Sequence, residues 1–331
     1  MFISLEGGVL DICDSFHLKF QNNSRRKSTM QDETKLREKI LRIKQNRHAI
    51  ILAHNYQPDE VQDIADIVGD SLELSRAAAT IDCEVIVFCG VDFMAETAAI
   101  LSPQKHVLLP APDACCPMAE MITPGELALL RERYPDAAVV CYVNSTAEVK
   151  AGSDVCCTSS NAVNIVNSLD EQRVIFVPDR NLARYVARFT DKEILPWDGF
   201  CIVHEQFTPD HVREAKQRYP EAVVIVHPEC RPDVIDLADH VASTSGIIRY
   251  VGSSDEHEFV IGTEVGILHR LKKECPEKQC YPLSDHAICR NMKKTGLAKV
   301  YAALIQNSPR ITVPNTIAIK ARAAIERMLA I

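Results

Sequence analysis

The chain has 331 residues, of which 47% are hydrophobic and 25% charged, and its formal net charge at pH 7 is −8. This is an ordinary globular composition, with enough length for two or three compact units. The acidic balance and the scattered lysines and arginines argue against a nucleic-acid surface. No apolar run approaches the roughly 20 residues of a membrane span, and the chain start lacks a signal-peptide pattern. We therefore expect a cytoplasmic protein that binds neither nucleic acid nor membrane.

The first 31 residues match no regular element. Helical spacing of apolar residues begins only at Leu36, Ile40, Leu41 and Ile43, and it predicts a helix that opens the folded part of the chain. We expect residues 1–31 to be a flexible N-terminal extension or the product of a misassigned start codon.

A repeat of about 85 residues organises the rest of the chain. Three strand-like runs, "AIILAHN", "AVVCYVN" and "AVVIVHP", each end in polar residues and lead into a helical stretch. An aspartate followed five residues later by a hydroxyl then recurs at Asp66 and Ser71, Asp154 and Ser159, and Asp239 and Thr244. This repetition predicts three units of similar topology.

A second strand-like run follows in each unit, as "EVIVFCG", "RVIFVPD" and "EFVIGTE". The segments "TPGELALLRERYP" and "TPDHVREAKQRYP" predict helices with a Thr N-cap and Pro at the first position. Because the strand-like runs are apolar throughout, they predict parallel strands covered on both faces. We predict an α/β fold of three similar α/β/α units, each with a small parallel sheet, arranged with pseudo-threefold symmetry around a central site. The units are expected to span residues 32–122, 123–206 and 207–331, the last with C-terminal helices.

Thirteen cysteines in a cytoplasmic chain do not predict a disulfide framework. One lies in the loop after the last strand of each unit: the neighbours Cys115 and Cys116, then Cys201, then Cys289. Such loops build the ligand sites of parallel sheets, so pseudo-threefold packing would bring three thiolates together. Thiolate sites select zinc or iron–sulfur clusters, and the spacing does not separate the two. We favour a 4Fe-4S cluster with one open iron, because no fourth ligand or CxxC pair accompanies the trio.

Polar side chains end the first strand of every unit. They are His54 and Tyr56, Tyr142 and Asn144, and His227 and Glu229. Such groups donate, accept and shuttle protons near neutral pH. The hydroxyls of Ser71, Ser159 and Thr244 are expected at helix N-termini, where backbone N–H groups and the helix dipole favour anions. The pattern predicts a substrate with several carboxylates or phosphates.

Eight ordered motifs resemble those of the quinolinate synthase family, from about residue 33 to the C-terminus. They are "ILAHNYQPDEVQDIADIVGDSLELS", "GVDFMAETAAIL", "CPMAEM", "YVNSTAEVKAGSDVCCTSSNAV", "PDRNLARYVA", "VHPEC", "FVIGTEVGILHRLKK" and "CRNMKK". Any one of these motifs alone would be a weak signal. The ordered set is specific, and it covers the whole repeat.

The resemblance implies a fold, a cofactor and a reaction. Members of this family fold as three pseudo-threefold α/β domains and hold a 4Fe-4S cluster through three cysteines. These correspond to Cys116 in "CPM", Cys201 in "GFCIVHEQF" and Cys289 in "AICRNM". The family condenses iminosuccinate with dihydroxyacetone phosphate to give quinolinate, with loss of phosphate and water, in de novo NAD biosynthesis. The open iron is expected to act as a Lewis acid.

The resemblance also implies the substrate site. The corresponding substrate-binding residues are His54, Ser71, Tyr142, Asn144, Ser159, His227, Glu229 and Thr244. Glu229 and His227 are the candidates for moving protons during carbon–carbon bond formation and aromatisation, and Tyr56 and His54 for isomerisation and ring closure. The three hydroxyls are expected to hold carboxylates and phosphate. A transient contact with the enzyme that supplies iminosuccinate is a further expectation.

Two alternatives from the residues stay open at this point. The first is another 4Fe-4S-dependent hydro-lyase, which would use the same open iron on a hydroxy acid. The second is a non-enzymatic metal-binding module, in which the cysteines hold zinc or sense iron.

Overall fold

The computed structural model describes residues 32–331, so the prediction for residues 1–31 lies outside the described chain. Helix α1 covers residues 32–46. The first unit then contains β1 (Ala49–His54), α2 (Asp59–Gln62), β2 (Ile67–Gly69), α3 (Ser71–Thr80), β3 (Val85–Cys89), α4 (Asp92–Leu101) and β4 (His106–Leu108). Its four strands are parallel and lie side by side in the order β2-β1-β3-β4.

The second and third units repeat this arrangement. The second contains α5 (Pro124–Arg133), β5 (Ala137–Tyr142), α6 (Ala147–Ala151), β6 (Val155–Cys157), α7 (Ala162–Asn167), β7 (Arg173–Val177), α8 (Arg180–Val186) and β8 (Glu193–Pro196). The third contains α9 (Pro209–Arg218), β9 (Val223–Val226), α10 (Pro232–Ile235), β10 (His240–Val241), α11 (Thr244–Ser253), β11 (Glu258–Gly262), α12 (Ile267–Glu274) and β12 (Gln279–Pro282). Their strand orders are β6-β5-β7-β8 and β10-β9-β11-β12.

The predicted α/β class with three small parallel sheets is confirmed by these orders. In each sheet the first and third strands of the unit occupy the centre, and every residue of β3 and β5 is buried. Central strands with two buried faces are what continuous apolar runs indicate. The predicted Thr-Pro helix starts are also present, since Thr123 caps α5 and Thr208 caps α9.

The repeated aspartates fasten neighbouring strands together. Each carboxylate accepts a backbone N–H from the unit's first strand, at 2.8 Å for Asp66, 2.7 Å for Asp154 and 2.9 Å for Asp239. Each carboxylate also forms an ion pair with a lysine or arginine of the helix that precedes the unit's first strand. These partners are Lys44, Arg131 and Lys216. The aspartate of the repeated motif is therefore structural, and it fixes the edge strand that leads to the hydroxyl.

The last two helices follow the third unit in the chain but pack against the other two. Helix α13 (Leu297–Gln306) packs on β3, and α14 (Asn315–Leu329) packs on α6, β6 and α4. The division of the chain at residues 122 and 206 stays a prediction. Within residues 32–331, no helix is both long and apolar enough to cross a membrane.

Candidate active site

One cavity collects the side chains that the repeat predicts. Its walls enclose about 710 Å³ of space free of protein atoms, including the open mouth. Every site residue predicted from the sequence lines it: His54, Tyr56, Ser71, Cys116, Tyr142, Asn144, Ser159, Cys201, His227, Glu229, Thr244 and Cys289. The first strand of each unit places a polar residue there, because β1 ends at His54, β5 ends at Tyr142 and β9 ends one residue before His227.

The histidines at the ends of β1 and β9 are held in the same way. The Nδ1 atom of His54 accepts the backbone N–H of Tyr56 at 3.2 Å, and Nδ1 of His227 accepts that of Glu229 at 3.3 Å. Burial lowers the pKa of His54 to about 4 and that of His227 to about 3. Both rings are therefore neutral at physiological pH, and each keeps its proton on Nε2, where it acts as a hydrogen-bond donor.

Glu229 is a buried carboxylate surrounded by donors. Tyr142 donates its hydroxyl proton to Oε1 in a short hydrogen bond, and Nδ1 of His204 lies 2.7 Å from Oε2. Burial alone would raise the pKa of Glu229, but the adjacent imidazoles of His204 and His227 and the hydrogen bond from Tyr142 lower it to about 2. Glu229 is thus charged at neutral pH, and its oxygens can accept a proton from a bound molecule.

The ring of His204 lies against the same carboxylate. It stacks on His227 with the ring centroids 4.5 Å apart, and its Nδ1 atom has no well-aligned acceptor despite the short distance to Glu229. Catalytic contacts often align fully only once substrate is bound. The ring is therefore held against the Glu229 carboxylate without forming a complete hydrogen bond.

Tyr56 is a second buried side chain of the cavity, and it is a proton donor. Its hydroxyl lies 2.9 Å from Oγ1 of Thr244 and 2.5 Å from Oγ1 of Thr263. Burial raises the pKa of Tyr56 well above its usual value of 10. Tyr56 therefore stays protonated at neutral pH, in contrast to Glu229.

Two of the three predicted hydroxyls stand at helix starts. Ser71 is the first residue of α3 and Thr244 the first of α11, whereas Ser159 lies in the turn before α7. Ser160 joins the three units next to this turn, since its Oγ lies 2.8 Å from both Asp70 Oδ2 and Ser243 Oγ. Both hydroxyls line the cavity beside the positive end of a helix dipole, an arrangement that favours anionic ligands.

Three cysteines from three units could hold a cofactor. Cys116, Cys201 and Cys289 lie in the loops after β4, β8 and β12, each followed closely by a 3₁₀ turn, and all three line the cavity. The neighbouring Cys115 is not among the lining residues. Burial raises the pKa of all three thiols, so a bound metal has to supply the charge that keeps them deprotonated.

The spacing of these sulfurs distinguishes between one metal ion and a cluster. Among the described residues, the metal-ligating atoms that lie within 4.8 Å of one another belong to Cys201, His204 and Glu229, and not to the three cysteines together. The three sulfurs are thus too far apart to share one ion in this arrangement. A 4Fe-4S cluster, which offers a separate iron to each sulfur, fits them better.

Two carboxylates accept hydrogen bonds from the backbone of the cysteine loops. Oδ1 of Asp92 accepts the backbone N–H of Cys116 at 3.3 Å, and Oε1 of Glu264 accepts that of Cys289 at 3.1 Å. Lys293 lies 3.0 Å from the same Glu264 oxygen. The sequence analysis did not identify these positions, although Asp92 and Glu264 each follow the third strand of their unit within three residues.

The sequence analysis also missed His204 and Thr263. His204 lies in the quoted motif "GFCIVHEQF", three residues after Cys201, and this short distance to a predicted ligand was an available signal. Thr263 follows β11 directly, and nothing in its local sequence separates it from a structural threonine. Both residues are buried, with 2% and 1% of their surface exposed.

Comparison with known proteins supports a single family. The family model described as "Quinolinate synthetase A protein" matches residues 38–330. A quinolinate synthase from Methanoregula boonei is 68% identical over 302 residues, which is 91% of this chain and 100% of that protein. One from Thermodesulfovibrio yellowstonii is 56% identical over 293 residues, 88% of this chain and 97% of that protein. The quinolinate synthase 1 of Methanosarcina acetivorans is 53% identical over 294 residues, 89% and 97% of the two chains.

These matches cover all three sheets and every residue that lines the cavity. They confirm the resemblance seen in the ordered motifs, and they argue against a non-enzymatic metal-binding module. The chain belongs to the quinolinate synthase family, whose enzymes serve NAD biosynthesis.

Proposed function

We propose that this enzyme condenses iminosuccinate with dihydroxyacetone phosphate to give quinolinate, with release of phosphate and water. The observation that supports this most directly is the composition of the one cavity. It combines three cysteines from three units with a charged base, a protonated tyrosine and hydroxyls at helix starts. A condensation followed by ring closure and dehydration needs groups of all these kinds.

Proton transfer is assigned to Glu229 and Tyr56. Glu229 is ionised and takes a proton from a substrate carbon, with Tyr142 and His204 positioned to stabilise its charge. Tyr56 is protonated and donates to a substrate oxygen or nitrogen during isomerisation and ring closure. The Nε2–H groups of His54 and His227 donate hydrogen bonds to substrate oxygens, because Nδ1 of each ring is occupied by the backbone.

Anion binding is assigned to the hydroxyls. Ser71 and Thr244 begin α3 and α11 and line the cavity, so their side chains can bind carboxylates and phosphate beside the positive ends of two helix dipoles. Ser159 and Asn144 contribute further donors from the second unit. The two proposed substrates carry carboxylate and phosphate groups, which matches a site with anion-binding groups from all three units.

The proposed cofactor is a 4Fe-4S cluster held by Cys116, Cys201 and Cys289. When bound, it supplies an open iron that acts as a Lewis acid on a substrate oxygen. Cytoplasmic location and a transient contact with the enzyme that supplies iminosuccinate remain part of the same proposal.

The proposal is tested by anaerobic purification of the native protein and of two serine variants. Iron and acid-labile sulfide are quantified per chain, and quinolinate formation from the two substrates is measured. We expect Cys116→Ser to lose the cluster and the activity, and Cys115→Ser to keep both, because Cys116 lines the cavity and Cys115 is not among its lining residues.

Three outcomes would contradict the proposal. A colourless protein that contains zinc but neither iron nor sulfide would exclude the cluster. A loaded protein that dehydrates a hydroxy acid and makes no quinolinate would favour the hydro-lyase alternative. Loss of the cluster in Cys115→Ser alone would overturn the choice of ligand.

A further inference from the structure

One group of side chains in the cavity has the composition of a site for a single metal ion. It consists of Cys201, His204 and Glu229, whose ligating atoms all lie within 4.8 Å of one another, and residues 32–331 contain no second group of this kind. We propose that the protein without its cluster binds one zinc ion at these three residues, and that zinc and the cluster exclude each other because both need Cys201. The zinc site goes beyond the proposed function, whereas the exclusion rests on the proposed cluster.

The three ligand types are those that zinc binds in proteins. Zinc holds a thiolate sulfur at about 2.3 Å and an imidazole nitrogen or carboxylate oxygen at about 2.0 Å, so its ligand atoms are about 3–4 Å apart. Small rotations of the three side chains reach this spacing from the arrangement in the structure. Three protein ligands leave a fourth position for water or for an anion from solution.

The orientation of His204 supports a shared metal ligand. Its Nδ1 atom lies 2.7 Å from Oε2 of Glu229, yet the two atoms are not aligned for a hydrogen bond. Nδ1 has no other partner, although the residue is only 2% exposed. A buried polar atom without a partner is rare in folded proteins because it costs free energy. A metal ion held by both side chains gives the nitrogen the partner that it lacks.

The remaining polar atoms of the two buried ligands already have partners. Tyr142 donates to Oε1 of Glu229, which leaves Oε2 for a metal ion. Nε2 of His204 lies 2.8 Å from Oγ1 of Thr263. A histidine that binds metal through one nitrogen usually donates its other N–H to an oxygen, and such contacts fix the ring and strengthen the ligand. The site therefore has the outer contacts that a bound metal requires.

The charges of the ligands suit a divalent ion in a buried place. Zinc replaces the thiol proton of Cys201, which leaves to solvent, and His204 binds as a neutral imidazole. The thiolate and the carboxylate of Glu229 then cancel the two positive charges of the ion, so the site acquires no net charge that burial would penalise. All three residues line the cavity, whose mouth gives the ion a path from solution.

The shared use of Cys201 makes zinc a competitor of the cluster. The other proposed cluster ligands, Cys116 and Cys289, do not belong to the zinc group. With zinc on Cys201, only two of the three cysteines remain for a cluster. Since His204 and Glu229 belong to the zinc group alone, single substitutions can remove either metal site and leave the other.

The first test measures zinc binding to the full-length protein after a chelator has removed iron and sulfide under anaerobic, reducing conditions. We expect one zinc ion per native chain, and equal affinity in Cys116→Ser. His204→Gln should weaken binding by at least about 100-fold, since loss of an outer contact alone costs about 10- to 100-fold. His257→Gln is the matched control, because His257 is exposed, and it should leave the affinity unchanged.

Cobalt(II) identifies the ligands directly and needs no enzymatic activity. It binds to the same nitrogen and sulfur sites as zinc, and a bound thiolate gives it an intense near-ultraviolet absorption band. We expect this band in the native protein and in Cys116→Ser, and its loss in Cys201→Ser. Circular dichroism checks that each variant is folded, and the Cys201 and His204 variants test the site independently of each other.

Three results would overturn the zinc site. The first is a native protein that binds no zinc. The second is a folded His204→Gln variant that binds zinc as tightly as the native protein. The third is a folded Cys201→Ser variant that keeps the cobalt band.

The exclusion is tested on the cluster-loaded protein. Loaded and cluster-free samples are incubated with the same concentration of zinc and desalted, and zinc, iron and sulfide are quantified per chain. We expect the loaded protein to retain at most about a tenth of the zinc that the cluster-free protein retains. Full zinc together with full iron would overturn the exclusion. A loaded enzyme that makes no quinolinate would overturn the proposed function and leave the zinc site standing.

Discussion

At the ends of β1 and β9, a histidine Nδ1 accepts the backbone N–H of the residue two positions later. In the first unit that residue is Tyr56, and in the third it is Glu229. Burial keeps the tyrosine protonated, whereas neighbouring donors keep the glutamate ionised. The first and third units thus share one backbone arrangement at this strand end, and the side chain two positions after the histidine decides whether the unit supplies the proposed acid or the proposed base.

The largest effect is expected when Glu229, the proposed base of the third unit, is neutralised. Glu229→Gln keeps the shape and the contact with Tyr142 but removes the charge, so we expect kcat to fall by about 1000-fold. Steady-state kinetics of the anaerobic, loaded enzyme measure this. Glu148→Gln, at an exposed position of α6, is the control and should stay near the native rate. A kcat within about tenfold of native for Glu229→Gln would mean that another residue acts as the base.

Removing the hydroxyl of Tyr56, the proposed acid of the first unit, is expected to lower the rate less. Tyr56→Phe deletes one hydroxyl while the ring still fills its buried position, and we expect kcat to fall by about 100-fold with little change in KM. The comparison requires that Tyr56→Phe be milder than Glu229→Gln. If the tyrosine variant were the more severe of the two, the expectation that the rate depends most on the carboxylate of the third unit would be wrong.

The repeat predicted the parts of the site that recur, and it could not predict the parts that do not. Strand ends and cysteine loops return about every 85 residues, so periodicity identified His54, His227, the Cys115/Cys116 pair, Cys201 and Cys289, whereas the choice of Cys116 came from the resemblance of "CPM". His204 has no such counterpart, because the residues three positions after Cys116 and Cys289 are Ala119 and Met292. The sequence repeat therefore predicts the strands and loops that carry the site. Side chains that do not recur in the repeat are identified only from the structure.

The same limit applies to Thr263. It immediately precedes Glu264, and the residue before the corresponding Asp92 of the first unit is Val91. A single threonine beside a strand carries no periodic signal, and only its distances to Tyr56 and His204 identify it. The C-terminal helices are a similar case, since the chain order alone does not show that α14 packs on the second unit.

The two strand-end histidines predict a loss of stability in mild acid. An unfolded histidine binds a proton near pH 6.5, whereas buried His54 does so only near pH 4 and His227 near pH 3. Between these pH values the unfolded chain binds more protons, so the free energy of unfolding falls as pH falls. We expect each histidine to account for about 2 kcal/mol of the loss between pH 7 and pH 5.

Urea unfolding of metal-free protein at both pH values measures this loss. His54→Gln and His227→Gln should each reduce the difference in unfolding free energy between pH 7 and pH 5 by the contribution of one histidine. The double variant should remove both contributions. If either single variant kept the native difference between pH 7 and pH 5, that histidine would already be protonated in the folded protein. The two histidines would then differ in protonation state, and the two strand ends would not be equivalent.

The smallest effects are expected at the aspartates that support the two strand ends. Asp66 fastens β1 and Asp239 fastens β9 through equivalent hydrogen bonds. Asp66→Asn keeps an acceptor oxygen but loses the charge, and we expect it to lower the free energy of unfolding by about 1 kcal/mol with kcat unchanged. Denaturant unfolding of the two variants side by side gives the comparison.

Asp239→Asn should lose less than Asp66→Asn, because its ion pair is more exposed to water. The side chains of Lys44 and Asp66 are 13% and 27% exposed, whereas those of Lys216 and Asp239 are 41% and 42% exposed. Water screens the second pair more strongly, so its charge contributes less to stability. An equal loss in both variants would mean that the hydrogen bond to the strand, which the two units share, carries the effect. A larger loss in Asp239→Asn would show that β9, which leads to Glu229, depends on its aspartate more than β1, which leads to Tyr56.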